Sequence, residues 1–225
     1  MTDVRVAADR AGLRQSAMRR AGLSTLVALG GAAFLSTAPA APVRANTIED
    51  GKAIVQSMSV AVITVLRRRT SRHVQEATLR TVFARYFDVP RIARFVLGRS
   101  AWASASSGER SQFLALFQRY IAKVYAAQLR QYSGEIFQVV GASPERNGVV
   151  VTSRIVNPRG TQPFFIKWRM RPSGGQLKVR DVVIENISMS LNQRREFASV
   201  YRRRGNNMAG LLQAMREKMA ELDRR

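Results

Sequence analysis

At Ser133-Gly134 the spacing of apolar residues changes from every third or fourth position to every second, and past Ser190 it changes back. A helix buries a stripe with a period near 3.6 and a strand buries alternate residues, so this order places a block of strands between two blocks of helices. The pattern predicts four strands, over Ile136 to Val140, Gly148 to Val156, Gln162 to Arg171 and Gln176 to Ser190. Turn material at Pro144 to Gly148, Asn157 to Gly160 and Pro172 to Gly175 separates them. Connections this short suit a meander of antiparallel neighbours.

The third strand has the sharpest contrast between faces. Phe164, Ile166, Trp168 and Met170 share one face, while Phe165, Lys167, Arg169 and Arg171 share the other. One side is therefore dry and the other wet. In the second strand Val149, Val151 and Ile155 oppose Thr152 and Arg154, with less contrast. The fourth is apolar on both faces around Val182, Val183 and Ile184, as a central or helix-covered strand would be.

Ahead of the strands, helices are predicted over Thr47 to Leu66, Ser71 to Phe87, Val89 to Leu97 and Ser107 to Tyr132. Asp50 and Ser107 are the expected caps of the first and last, Pro90 suits a first helical turn, and Gly98 stops the third. Two more helices follow the strands, Leu191 to Arg204 and Asn207 to Leu222, divided at Gly205-Asn206. In the 107–132 helix Phe113, Leu116, Phe117, Tyr120, Ile121, Val124, Tyr125 and Leu129 form a wide apolar stripe. Such a stripe is either packed core or the wall of a partly open cavity, and its spacing does not choose. The fold class is α+β, a curved antiparallel sheet of about four strands with helices packed on one face.

Residues 1 to 22 are polar and basic, and Leu23 to Ala41 then runs without a charge. That run is diluted by Gly30, Gly31, Ser36 and Thr37 and is followed by Pro42, which reads as a signal peptide rather than a membrane span. Residues 1–45 are the expected signal segment, cleaved after Ala45, and 46–225 a single domain exported to the periplasm. Arg19-Arg20 reads as an ordinary basic leader.

The full chain carries a formal net charge of +22. Residues 1–45 contribute six arginines and two acids, so the remainder keeps 31 basic against 13 acidic residues, or +18. The basicity belongs to the domain and suits anionic lipid head groups or acidic protein faces. Nucleic acid is not the expected partner, because the aromatics sit on a dry face and not on an exposed stacking platform.

Catalytic chemistry is thinly supplied. There is no cysteine, and the one histidine, His73, stands in the basic stretch from Arg67 as a solvated helix residue. Asp181 and Glu185 lie two pleats apart on one strand face, about 13 Å, too wide for a typical glycosidase pair. Salt bridges to the abundant arginines are the expected use of both. The chain is read as a non-enzyme with no metal or cofactor.

Three stretches carry a family resemblance: FARYFDVPRIARFVLGRSAW from 83, FLALFQRYIAKVYAAQLRQYSGEIF from 113, and VRDVVIENISMSLNQRREFASVYRRRGNNMAGLLQAMREK from 179. In this order and spacing they resemble the MlaC, or toluene-tolerance, family of periplasmic phospholipid-binding proteins. The resemblance implies a nuclear-transport-factor-2-like sheet with helices around an apolar cavity for acyl chains. It also implies lipid shuttling between an inner-membrane ABC transporter complex and an outer-membrane lipoprotein/porin complex, with phospholipid as the bound ligand. A branch linked to hopanoids makes a sterol-like lipid the alternative cargo, and a non-catalytic exported interaction module is the reading from another class.

If the chain is a carrier, Phe164, Ile166, Trp168 and Met170 face the stripe of Phe113, Phe117, Tyr120 and Val124 across the cavity. Val151, Val182 and Ile184 extend the wall along the sheet, and Phe83, Phe87 and Phe95 extend it along the preceding helices.

Overall fold

Helices form where the 3.6-residue period runs, and side chains that take up free backbone N–H groups set their starts. In the computed structural model the described residues run from 45 to 224, without 69, 130, 159 and 161. The expected signal segment, 1–45, lies outside them but for Ala45.

Five helices come first: α1 Ala45–Arg67, α2 Arg72–Tyr86, α3 Val89–Leu97, α4 Arg99–Ser104 and α5 Ser107–Leu129. Asp50 falls inside α1 instead of capping it. Ser71 caps α2 by accepting from Val74 N–H at 3.4 Å, and Asp88 caps α3 by accepting from Arg91 N–H at 3.3 Å. The cap of α5 is Ser106, not Ser107: its Oγ accepts from Glu109 N–H at 3.2 Å while Glu109 accepts from Ser106 N–H at 2.8 Å. That reciprocal pair is a capping box, and it sits one residue before the expected cap. The Ser106 N–H also holds the Glu109 carboxyl below its ordinary pKa. The short α4, absent from the sequence expectation, is entered through Gly98 at φ +88°, a conformation that glycine adopts without a Cβ penalty.

The strands are β1 Ile136–Glu145, β2 Gly148–Val156, β3 Phe164–Ser173, β4 Gln176–Ile184 and β5 Ile187–Ser188, and they make one antiparallel sheet in sequence order. This corrects the expected four. The last predicted strand is broken by a tight turn at Glu185 and Asn186, whose φ values of 45° and 65° suit the primed two-residue hairpin. The first runs five residues past its predicted end because a bulge at Val140 restores the inward alternation beyond it. A second bulge, at Arg180, lies between the Arg169–Asp181 and Met170–Val179 pairs.

Two helices close the chain, α6 Met189–Arg203 and α7 Met208–Arg224. Asp181 ties α6 to β4: its carboxylate accepts from Ser188 Oγ at 2.7 Å, from Ser190 N–H at 3.1 Å and from Ser190 Oγ. Glu185 accepts from Phe165 N–H at 2.6 Å. These bonds replace the arginine pairs expected for both acids, and they place a carboxylate at a helix N-terminus, where the dipole favours it. Asp88 does a similar job beside it on β4, where it ties α3 to the sheet. It accepts from Ser173 Oγ at 2.8 Å, lies 3.1 Å from Arg180 Nε, and donates its own N–H to Val179 O at 3.0 Å.

The core is divided. A helical cluster joins Ala93, Val96, Phe113, Phe117, Ile121, Phe197, Leu211, Leu212 and Met215 across α3, α5, α6 and α7. A sheet cluster joins Val55 and Met58 of α1 and Val82 of α2 to Val149, Val151, Met170 and Val179. Among the described residues no helix is long and apolar enough to cross a membrane.

Candidate functional site

The strand registers align the inward side chains in four rows. The first is Pro144, Val149, Met170 and Val179; the second Ala142, Val151, Trp168 and Val182; the third Val139, Ser153, Ile166 and Ile184; the fourth Phe137, Ile155 and Phe164. On β2, β3 and β4 burial is complete in the first row and incomplete throughout the last. Val149, Met170 and Val179 are fully buried, whereas Phe137, Ile155 and Phe164 are all only partly covered.

The gradient follows from how α1 lies on the sheet. Gly51 sits against it so closely that a Cβ there would lie 3.0 Å from Val149 Cγ1 and 3.1 Å from Val151 Cγ2. The absent side chain is what lets the helix touch down at the first two rows, with Val55 and Met58 filling the space behind it. Towards its C-terminus α1 turns its apolar residues to α2 and α5. There Val62, Val65 and Leu66 meet Leu79, Ala126 and Leu129 around a half-open space of about 10 Å³, room for roughly one water, which Gln75 and Thr78 also line. The fourth row, with no buried member, is thus apolar surface with incomplete cover, whereas the third still buries Ser153 and Ile166.

Trp168 is fixed rather than loose. Its indole N–H donates to Ser153 Oγ at 2.9 Å, and its ring meets Phe137 edge-on at 6.4 Å. Ser153 is fully buried in an otherwise apolar row, and this bond satisfies both polar groups.

Of the residues expected to line a cavity, the structure gathers Val151, Ile166, Trp168, Met170, Val182, Ile184 and Phe164 on the inner sheet face. Phe87 packs beside them, and Phe83 joins it edge-on at 4.8 Å while reaching Tyr125 at 6.0 Å, so Phe83 bridges sheet side and helix side. Val124 is partly buried on α5.

The rest are placed elsewhere. Phe113, Phe117 and Tyr120 stack on Phe197 of α6 at 6.0, 5.7 and 5.6 Å, not on β3. The first half of α5 is claimed by the apolar stripes of α6 and α7, and α5 packs chiefly on α2 and α7 rather than on the sheet. Phe95 points outward, 40% exposed, beneath the Arg194 guanidinium.

The tyrosine hydroxyls inside the helix layer are neutral. Burial, with the Glu196 charge second, pushes the Tyr120 hydroxyl up to about 12, and Tyr125 is pushed up to about 12 by burial, then by Glu196, Asp181 and Tyr120. His73 is exposed on the first turn of α2. No three metal-ligating side chains converge among the described residues.

Sequence reasoning passed over Phe137, Val139, Ile155 and Ser153 as site residues, and with them the seam residues Val62, Val65 and Leu66. The period-two alternation of the first two strands carried the signal for the former, and the spacing of α1 for the latter.

This arrangement has known counterparts. A phospholipid-binding protein from Ralstonia solanacearum, solved in complex with a phospholipid, shares the fold with a TM-score of 0.64 over 77% of this chain and 99% of that one, at 22% identity. The intermembrane phospholipid transport system binding protein MlaC of Haemophilus influenzae is 27% identical over 124 residues, 53% of this chain. The match spans 58% of that relative's length. The family model described as MlaC protein matches residues 56–217, from the middle of α1 into α7. The chain belongs to the MlaC family.

Proposed function

We propose that the protein is a periplasmic phospholipid carrier that holds acyl tails against the partly covered rows of its sheet. The observation that carries this reading is the burial gradient, from fully covered Val149, Met170 and Val179 to the half-covered row of Phe137, Ile155 and Phe164. A continuous apolar face whose last row is only partly covered is the surface a tail-binding domain needs. The tails enter between the sheet and the seam of α1 with α2 and α5, and the head group stays towards water. No bond is made or broken.

A carrier of this kind works between an inner-membrane ABC transporter complex and an outer-membrane lipoprotein/porin complex, with residues 1–45 directing export. The relatives support the reading, since both are described by phospholipid binding or transport. The physical need is large: each tail of about sixteen methylenes costs on the order of 13 kcal/mol to expose to water.

The test is native mass spectrometry of protein purified from its own host, followed by lipid extraction. A bound two-chain phospholipid is expected, with a sterol-like lipid as the other identifiable cargo. Protein that carries no lipid, and takes none up from phospholipid vesicles, refutes the reading.

A further inference from the structure

We propose that the facet formed by α3 and the start of α6 is a docking surface for an anionic lipid bilayer. Two large apolar side chains stand out of it, Phe95 at 40% and Leu191 at 48% exposure. They lie together because α3 and α6 pack side by side. The Arg194 guanidinium sits 5.0 Å from the Phe95 ring centroid and donates through Nη1 to Phe95 O at 2.8 Å, and Leu191 is one turn before Arg194 on the same helix face.

Cations surround the pair. Arg91 lies one turn before Phe95, Arg94 and Arg99 flank it, and Arg194 and Arg195 follow Leu191. Acids are scarce: residues 89–108 contain none, Asp88, 3.7 Å from Arg91 Nε, has a side chain only 10% exposed, and α6 has Glu196 alone. That carboxylate raises the pKa of Tyr120 and Tyr125 on α5, which places its charge on the inner side of α6. The outer side is left with arginines and two protruding apolar groups.

An aromatic ring and a leucine at head-group depth, ringed by arginines whose stems are apolar, is the pattern of an interfacial anchor. An anionic bilayer supplies negative charge across a plane and an apolar layer just beneath it, and it demands no complementary shape. The arginines give the facet its attraction to that plane, and the two apolar side chains give it depth. Neither contribution depends on lipid held against the sheet, so this docking stands or falls apart from the carrier reading.

The experiment measures partition of the full chain onto vesicles of phosphatidylcholine mixed with phosphatidylglycerol, against vesicles of phosphatidylcholine alone, over a salt series. The parent protein is expected to bind the anionic vesicles and to release as salt rises. The pair Phe95→Ser with Leu191→Ser, which leaves the charge unchanged, is expected to weaken binding about tenfold or more. Leu191→Ser alone should weaken it in the same direction, and circular dichroism of each variant checks the fold.

The comparison pair is Val60→Ser with Val74→Ser, at residues 55% and 42% exposed on α1 and α2, which should bind as the parent does. Binding by the Phe95 and Leu191 variants equal to the parent's overturns the proposal, since attraction then comes from net charge alone. Equal losses in the comparison pair overturn it as well. So does a parent protein that ignores anionic vesicles, which would leave an acidic protein face as the facet's partner.

Discussion

Met170 and Phe164 lie on the same face of the same strand, and replacing each by alanine separates packing from ligand binding. Met170 is fully buried, in contact with the residues that α1 brings to the sheet. Met170→Ala removes its transfer energy and leaves a cavity, a loss of about 2–5 kcal/mol, or roughly 5–15 °C in Tm for a domain of this size. Phe164 is only partly covered, so in the lipid-free protein Phe164→Ala should cost no more than about 1–2 kcal/mol. With lipid bound the order reverses. A ligand stabilises by RT ln(1 + [L]/Kd), so weakening its contacts shrinks the rise in Tm that lipid produces. Phe164→Ala, and Ile184→Ala in the next row, should therefore lose most of that rise and most of the co-purified lipid, while Met170→Ala keeps both relative to its own lower baseline. Thermal unfolding of delipidated and reloaded protein, paired with lipid quantitation, reads both quantities. A Phe164→Ala protein with normal lipid content and a normal lipid-dependent rise would show that the open rows are not the ligand surface.

Asp88→Ala removes the cap of α3, the bond from Ser173 and the partner of Arg180, whose side chain is 20% exposed; urea unfolding should show a loss of about 2–4 kcal/mol. Asp181→Ala leaves Ser188 and Ser190 without their carboxylate, and a loss of about 1–3 kcal/mol is expected in the same assay. In an unfolded chain tyrosine ionises near pH 10, but Tyr120 and Tyr125 do so at about 12 when folded, so the unfolded state releases its protons first. The stability they contribute is complete below pH 10 and is lost as pH rises to 12, by up to ~3 kcal/mol for each tyrosine; denaturant midpoints across that window should fall, and fall less in Tyr120→Phe with Tyr125→Phe. Gly51→Leu would drive a side chain into Val149 and Val151, lifting α1 and lowering Tm by several degrees in calorimetry.

Periodicity made the strands and long helices legible because each buries one regular face. The period-two alternation of Phe164 to Arg171 gave both the strand and its inward side, and burial follows it. Three features escaped for physical reasons. The turn at Glu185 and Asn186 lies between apolar runs and uses no glycine, so only a bond such as that from Phe165 N–H to Glu185 reveals why a non-glycine tolerates a φ of 45° there. The second half of β1 was hidden by its bulge, which shifts the inward set by one residue after Val139. The stripe of α5 was left open between packed core and cavity wall, because a period says only that a face is apolar, never what covers it. Phe197 of α6 and the methionines of α7 compete with the sheet for it, and that contest is settled in three dimensions.

The divided core fixes what a carrier built this way can move. The helical cluster is closed on itself around Phe113, Phe117 and Phe197, so it holds its shape whether or not the sheet side is filled. The seam between α1, α2 and α5 is different: it closes on about 10 Å³, lined by Val62, Val65, Leu66, Leu79, Ala126 and Leu129. Widening it exposes these side chains, at about 1.5–3 kcal/mol for each large one, on the order of 10 kcal/mol together. On the proposed reading one acyl tail of about sixteen methylenes offsets roughly that amount, and the second tail, of similar worth, is surplus that holds the lipid in place. On that reading the seam widens as the tails enter. A single-chain lipid should just balance the cost of opening, so weak retention of lysophospholipid beside firm retention of two-chain phospholipid follows from the size of the seam itself.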